Sequence, residues 1–592
     1  MHYMQEKRGA AANNSRIGGE VRFLAANQEE KEAWLTSADS FFLTGDFKGM
    51  RACAREILSH NLDDLDGLAL LAQASYYIGD EETAERLVKR VSASDPYNWR
   101  ILLTAAELAV GNFELRAAVP LLNRLWRLGE VAEGEIPSYK YTILERAGRL
   151  LTDTCYLLGR AKEASDICMA VSALVKDKDA KADLYSKALF LMNYQAQDKR
   201  HIALREGYNA FFGIRVKFPH TRPEGVQKRK LRIGYLSPDF REHAVANFLT
   251  PFLRDYSKLE FSVFCYHLGR KDDVTKRFHR FAAAWRDVEG LSPKEVAQQI
   301  YHDRVDILVD FSGHSQGSAL PVLTYRPAPV QMVAIGDVNS SGLREADYFL
   351  SDYICQPPGE AVLGFTEKIA RVPYCHLCYS PDIVHELPPV AEEPPAKRNG
   401  YVTFGSFNNF AKVTRETLLL WRGVLEAVPD SRFIIKGKIA SIPDGIEEAK
   451  SRLADIGINT ERVEFRPYSP DYLEQYRDVD IALDTTPFNG GLTTCEALIM
   501  GVPVITRKGI THGSRYGATI LENAGLPELV AKSDVDYVRK AVQIANSMEI
   551  LEKFHSGLRA VVKKSRLMDG IPYMKDIEDL YRHIWKDYCT FS

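Results

Sequence analysis

From about residue 29 to residue 210, apolar side chains recur at three- and four-residue steps, as in Ala38-Phe41-Phe42 and Leu68-Leu71-Ala72. That spacing predicts a succession of amphipathic helices. After Pro219 the texture changes. Short apolar runs at 231–236, 261–267, 306–311 and 330–335 alternate with helical segments such as 294–301. This is the pattern of βαβ units winding into a parallel sheet. The proline-rich, charged stretch 387–400 (LPPVAEEPP and on to Gly400) reads as a linker. A second βα series follows, with strands expected at 402–407, 432–435, 463–465, 481–483 and 504–506. Two such halves joined by a linker place a ligand cleft outside the carboxyl ends of their strands.

The helical region carries an internal echo. SADSFFLTGD (37–46) and AQASYYIGD (72–80) are alike, and their dipeptides Gly45-Asp46 and Gly79-Asp80 lie 34 positions apart. A second helix follows each, at 48–58 and 82–91, and Asp95-Pro96 closes the unit. Thirty-four residues is the tetratricopeptide period. Looser echoes occur at Gly111-Asn112 and Gly159-Arg160-Ala161. A helical bundle with a chance echo is the plainer alternative. Stacked helix pairs would offer a concave surface to a protein partner.

Length and composition narrow the class. A chain of 592 residues is too long for one core and suggests roughly three to five domains. The expected division is a disordered lead-in (1–28), a helical repeat domain (29–218), a first Rossmann-like domain (219–386), the linker (387–400), a second Rossmann-like domain (401–565) and a C-terminal helix (566–592). A formal net charge of -3 gives nucleic acid no bulk electrostatic attraction. Nine scattered cysteines fit a reducing compartment. The CxxC pair Cys375 and Cys378 lacks a second pair to complete a zinc tetrahedron, so no metal is expected. The first twenty residues lack the apolar core of a signal peptide. No apolar run approaches the roughly 18 residues that span a bilayer. The expectation is a cytoplasmic protein without membrane insertion.

The stretch DIALDTTPFNGGLTTCEALIMGVPV (480–504) carries the strongest chemical signal. A strand ends in an acidic turn, Gly490 and Gly491 follow, and Thr493 and Thr494 open a helix. Unpaired amides at a helix start, with the dipole behind them, cradle phosphate, and glycine lets an oxyanion approach. An ordinary βα turn would read much the same. Lys412, just before another helix, opposes the dipole unless an anion is present, so it is the cation expected on a leaving phosphate; an exposed surface lysine is the alternative. His243, after the first strand, is a general base or a substrate-orienting group, or simply a solvated histidine at a helix start. Asp310 and His314 end another strand. They are acid/base or acceptor-binding candidates whose residue types more often cap helices. The loop 336–342, with Gly336 and Asn339, looks too polar and glycine-rich to be core. Asp478-Val479-Asp480 imitates a metal-binding pair but opens a strand where such a pair should end one.

In order along the chain, LRIGYLSPDFREH, YRPAPVQMVAIG, the Ser351-Asp352 and Glu367-Lys368 stretch, VTFGSFNNFAKVT and LDTTPFNGGLTTCEALIMGVPVIT resemble the catalytic region of O-linked N-acetylglucosamine transferases, glycosyltransferase family 41. The resemblance covers about 231–529, and the preceding helical repeats suit the family. It implies a GT-B fold of two Rossmann-like domains. It also implies inverting, metal-independent transfer of N-acetylglucosamine from UDP-GlcNAc to serine or threonine hydroxyls of a protein docked by the repeats. No cofactor is implied beyond the nucleotide-sugar donor. On the family's pattern His243 is the active-site histidine and Lys412 the diphosphate lysine. Asn409 belongs to the nucleotide pocket, Thr493 and Thr494 hold phosphate, and Glu496 falls near the acidic ribose ligand. Departures bear on the donor. Leu492 replaces a histidine of the animal enzymes' Gly-His-Thr-Thr, and Tyr472 stands where they carry another near the uracil. Gly336-Asp337-Val338-Asn339 replaces Gly-Tyr-Pro-Gly. Glucose transfer from UDP-glucose to asparagine, fucose transfer from GDP-fucose and a non-catalytic repeat scaffold remain alternatives.

Overall fold

The computed structural model describes residues 28–131, 136–197, 199–213, 215–223, 229–359 and 364–590. The expected lead-in at 1–28 lies almost wholly outside them. The chain forms two compact units, one of residues 1–112 with 120–147, the other of 113–119 with 148–592.

The first unit is helical. Helices Gln28–Thr44, Phe47–His60, Leu65–Tyr77, Glu81–Ser94 and Trp99–Gly111 follow one another with short connections. The Gly-Asp echo has a physical origin. Gly45 and Gly79 sit at φ +75° and +84°, the left-handed conformation that ends a helix without a Cβ penalty. The next amide returns to the finished helix, Asp46 N to Phe41 O at 2.9 Å and Asp80 N to Ser75 O at 2.8 Å. Each aspartate then caps the following helix, accepting from Gly49 N or Thr83 N. One dipeptide thus both stops a helix and starts the next.

In the second unit the first sheet holds seven parallel strands: β1 (Leu231–Ser237), β2 (Phe261–His267), β3 (Ala284–Asp287), β4 (Ile307–Asp310), β5 (Val330–Val333), β6 (Tyr348–Asp352) and β7 (Lys368–Val372). Their order is β3-β2-β1-β4-β5-β6-β7. The second sheet holds β8 (Thr403–Ser406), β9 (Arg432–Lys436), β10 (Val463–Arg466), β11 (Ile481–Leu483), β12 (Val504–Arg507) and β13 (Val530–Ala531), in the order β10-β9-β8-β11-β12-β13. Both are doubly wound, and their order reverses at β1/β4 and β8/β11, where such sheets bind ligands. Both faces of the first sheet are covered, as parallel sheets require. Ile233, Tyr235, Ile307 and Val309 join a core with Phe252 and the C-terminal helix Gly570–Thr590, while Leu236 and Leu308 face the other way.

That second face explains one departure from expectation. The helical segment expected to end one domain at 218 is divided, and its part from residue 148 belongs to the sheet-bearing unit. Ala182, Leu189, Met192 and Tyr208 lie in one core with Leu236, Leu308 and Val333. Arg205, fully buried, donates to Ser340 O at 2.9 Å and to Asn193 Oδ1 at 2.6 Å, and burial lowers its pKa. The loop 336–342, read as too polar for the core, is itself buried. Asp337 accepts from Asn193 at 2.7 Å, and Ser340 and Ser341 donate to Glu367. Polarity misled because every such group found a buried partner.

Arg205→Ala is expected to cost the sheet-bearing unit about 3–5 kcal/mol, since it removes a buried cation and leaves Asp337 uncompensated. Thermal and urea melts check this, and a variant as stable as the native chain contradicts the account.

Candidate functional site

The carboxyl ends of β8 and β11 meet at one buried carboxylate. Asp484, directly after β11, accepts from Thr485 N at 2.8 Å and Gly490 N at 2.7 Å through Oδ1, and from Thr506 Oγ1 at 2.6 Å through Oδ2. Asn408, after β8, donates to the same carboxylate at 3.4 Å and accepts from Thr493 Oγ1 at 3.0 Å. The loop between Asp484 and helix Leu492–Ile499 is therefore pinned at both ends. No side chain caps that helix at Gly491, so its first amides have no capping oxygen from that residue. A Cβ on Gly490 would lie 2.5 Å from Thr493 Oγ1 and 2.8 Å from Thr494 Oγ1. Only glycine lets the two hydroxyls close over the turn. Thr494 is buried and donates back to Gly490 O at 3.0 Å, whereas Thr493 is half-exposed.

Lys412 joins this cluster. It ends the short turn Phe410–Lys412, where its ammonium donates to Asn489 O at 3.0 Å and lies 3.9 Å from the Phe488 ring centroid. It is half-buried, which sets aside the surface-lysine reading. Burial lowers its pKa to about 8, against the opposing pull of Asp484. Asn409 differs from expectation. Its Oδ1 accepts from Ala411 N at 3.1 Å and its Nδ2 donates to Tyr156 Oη at 2.7 Å, so Asn408 is the amide tied to Thr493.

A cavity of about 740 Å³ lies beside the helix start, lined by His243, Asn247, Arg270, Tyr472 and Leu492 among others. His243 reaches it from the loop after β1 and Tyr472 from the loop after β10; Lys412 and Thr493 lie outside its lining. His243 Nδ1 is 3.3 Å from Asp239 Oδ1 and accepts from Val245 N at 3.3 Å. Burial, with Arg241 and Lys438, lowers its pKa to about 4, so the ring is neutral at pH 7. Burial raises Asp239 to about 6. Tyr472 Oη donates to the Glu496 carboxylate. Glu496 is only 2% exposed and burial raises it to about 8. In this conformation Tyr472, not a ribose, occupies that carboxylate.

Two expected groups are structural. Both ring nitrogens of His314 are used, by Ser186 Oγ at 2.8 Å and Ser341 O at 2.9 Å, in a fully buried position. Asp310 accepts from Ser312 Oγ at 2.5 Å and Gly313 N at 2.7 Å, capping its own turn. Gly336 is a backbone crossing, since a Cβ there would lie 1.8 Å from Phe311 O. Asn339 donates to Gln197 at 2.6 Å. Asp480 holds Ala396 N and Thr403 N, as its place at a strand start suggested. Cys375 and Cys378 are buried free thiols. The sequence reading missed Asp484, Asn408, Asp239 and Lys438. The position of Asp484, directly between a strand and a Gly-Gly turn, was the available signal.

Comparison with known proteins now fixes the class. Two parallel doubly wound sheets around a cleft make a GT-B-like fold, and the model of glycosyl transferase family 41 matches residues 190–382 and 396–577. The chain belongs to that family. A probable UDP-N-acetylglucosamine–peptide N-acetylglucosaminyltransferase SPINDLY of Solanum lycopersicum is 37% identical over 412 residues, covering 68% of this chain and 44% of its own length. The corresponding SEC protein of Arabidopsis thaliana is 25% identical over 398 residues, covering 63% and 39%. The chain thus spans less than half the length of these relatives. The solved structure of a mutant O-GlcNAc transferase from Thermobaculum terrenum superposes with a TM-score of 0.68 at 26% identity, covering 95% of this chain and 99% of that one.

Because Lys412 loses its proton near pH 8, UDP affinity is expected to be level between pH 7 and about 7.5 and to fall as pH rises to 9. The ligand's own phosphate titrates lower, near pH 6. Calorimetry across this range checks it. A fall of the same size in Lys412→Met would assign the effect elsewhere.

Proposed function

We propose that this chain is a protein glycosyltransferase that moves N-acetylglucosamine from UDP-GlcNAc to a serine or threonine hydroxyl, with inversion. The observation that carries the reading is the uncapped helix start at Gly491 with Lys412 beside it, next to a cavity that His243 enters from the opposite sheet. The diphosphate lies on the helix amides and the Thr493 hydroxyl, and Lys412 exchanges Asn489 O for a phosphate oxygen. That preorganised charge takes up the negative charge developing on UDP. No divalent cation is required there. The acceptor hydroxyl attacks the anomeric carbon from the face opposite the leaving group. A base of pKa about 4 removes little of a hydroxyl's proton before bond formation. His243 therefore orients the hydroxyl and takes its proton late on Nε2, in the tautomer whose Nδ1–H faces Asp239 Oδ1 at 3.3 Å instead of accepting from Val245 N, and Asp239 steadies the resulting imidazolium. Tyr472 and Glu496 form the nucleoside end. The acceptor protein docks on the helical repeats, and the protein works in the cytoplasm, where its thiols stay reduced. Among the described residues no helix is long and apolar enough to cross a membrane.

Transfer from GDP-fucose is a second reading. It is kept open by Leu492 and Tyr472, which stand where the animal enzymes carry histidines beside the donor and its uracil.

A donor panel of UDP-GlcNAc, UDP-glucose and GDP-fucose, with a lysate as acceptor and intact-mass readout, decides the donor. An added N-acetylhexosamine is expected. Lys412→Ala is expected to lower turnover by about 10²–10³ while the fold persists. A folded Lys412→Ala protein with native turnover overturns its role. A chain that binds none of the nucleotides is a scaffold.

A further inference from the structure

Outside the lining of the candidate site's cavity, Cys355, His376 and His512 meet in a fully buried cluster. One atom of each, a sulfur and two ring nitrogens, lies within 4.8 Å of the others. Each histidine is tied on its outer side only. His376 Nδ1 is 2.6 Å from Asp352 Oδ2, and His512 Nε2 is 3.1 Å from Ser351 Oγ. The inner nitrogens, His376 Nε2 and His512 Nδ1, are buried without a hydrogen-bond partner. The Val338 backbone also faces the His512 ring but does not meet hydrogen-bonding geometry with Nδ1. Orphaned buried nitrogens are costly, and two of them in one cluster with a thiol call for a ligand. An imidazole whose far nitrogen is held by a carboxylate is how metal-binding histidines are oriented.

We propose that Cys355, His376 and His512 bind one zinc ion that staples the two Rossmann-like halves together. Sulfur and imidazole donors suit zinc, not the hard cations that bridge phosphates. Tetrahedral zinc sets its ligand atoms about 3.3–3.7 Å apart, by its bond lengths of about 2.0–2.3 Å, so small side-chain rotations complete the site. Binding forms one Zn–S and two Zn–N bonds, keeps one water of the incoming aquo ion as fourth ligand and releases the Cys355 thiol proton to solvent; no electron moves. The Tyr516 hydroxyl, also buried without a partner, stands in the same cluster, its ring 5.2 Å from both imidazoles.

The position gives the ion a structural task. Cys355 follows β6 and His376 follows β7, both in the first half, whereas His512 follows β12 in the second. The segment after His512 also supports the candidate site. Gly513 O accepts from Asn489 N at 3.1 Å, Gly517 N donates to Asn489 Oδ1 at 3.4 Å, and Asn489 O is the acceptor of Lys412. A search for CxxC spacing could not find this set, because its ligands come from three separate loops.

The test uses the full chain without a histidine tag, incubated with zinc, dialysed into metal-free buffer and assayed for metal by mass spectrometry. About one zinc per chain is expected. Cobalt exchange should give thiolate-to-cobalt charge-transfer absorption, and chelation should lower the melting temperature. Cys355→Ala and His376→Phe should lose the metal, and Cys378→Ser, off the cluster, should keep it. If the two ligand variants fail to fold, the cobalt spectrum of the unaltered chain decides. Less than a tenth of a zinc per chain, a cobalt form without the thiolate band, or zinc retained by folded Cys355→Ala each overturns the proposal; the last would mark an adventitious ion only.

Discussion

The architecture of the candidate site depends on the burial of one carboxylate. Asp484 stands where β11 ends, and its oxygens hold the amides of Thr485 and Gly490, the hydroxyl of Thr506 and the amide of Asn408. Burial raises its pKa, and the hydrogen bonds and Lys412 oppose that rise. The carboxylate therefore does two jobs through one desolvated charge. It fixes the loop that presents the Leu492–Ile499 helix start, and it favours a cation nearby. Neither would follow from a solvated aspartate, whose bonds to water compete with those to backbone.

That loop is useful only because the sheets place it. In each half the strand order reverses beside the first strand, which opens a crevice at the carboxyl ends. His243 leaves β1 and Asp484 leaves β11, each a strand at its own sheet's reversal. The C-terminal helix crosses back to the first half, where Tyr573 Oη donates to His376 O at 2.8 Å and Glu578 accepts from Ser257 N at 2.5 Å. The helices from residue 148 cover the first sheet's other face, so this stretch completes the core beneath the site.

Periodicity made most of this legible. The Gly45-Asp46 and Gly79-Asp80 echo marked real helix junctions because a left-handed glycine and an N-capping aspartate must sit in that order. Apolar β1, β2 and β4 were readable; β3, β6 and β7, which are partly polar, and the two-residue β13 were not. The Gly490–Thr494 turn and Lys412 stood out because phosphate chemistry restricts residue types locally, and the structure brings them side by side. The errors share one cause. His314 and the loop 336–342 carry the residue types of a site, and what made them structural was a distant partner, Ser186, Asn193 or Glu367, which no local window contains; Asp310 caps its own turn, the role its residue type favoured. Asn408 and Asn409 are adjacent and identical in type, so only the direction each takes after β8 separated them.

On the proposed transfer, the balance between base and leaving group follows from the electrostatics on either side of the cleft. A histidine at about pKa 4 is neutral at pH 7 yet a weak proton acceptor, whereas a lysine at about pKa 8 keeps most of its charge there. Matched general-base catalysis contributes typically 10²–10⁴-fold, and a base well below the operating pH delivers the lower part of that range. One preorganised donor on a developing anion is worth about 10²–10³-fold, and here the ammonium, the Thr493 hydroxyl and the helix amides converge. On that reading the greater share of rate acceleration falls on the departing diphosphate. The same accounting explains why a poorly basic imidazole is tolerable. Once the sugar's bond to the leaving group is largely broken, the attacking hydroxyl becomes acidic, and a ring backed by Asp239 then suffices to take its proton.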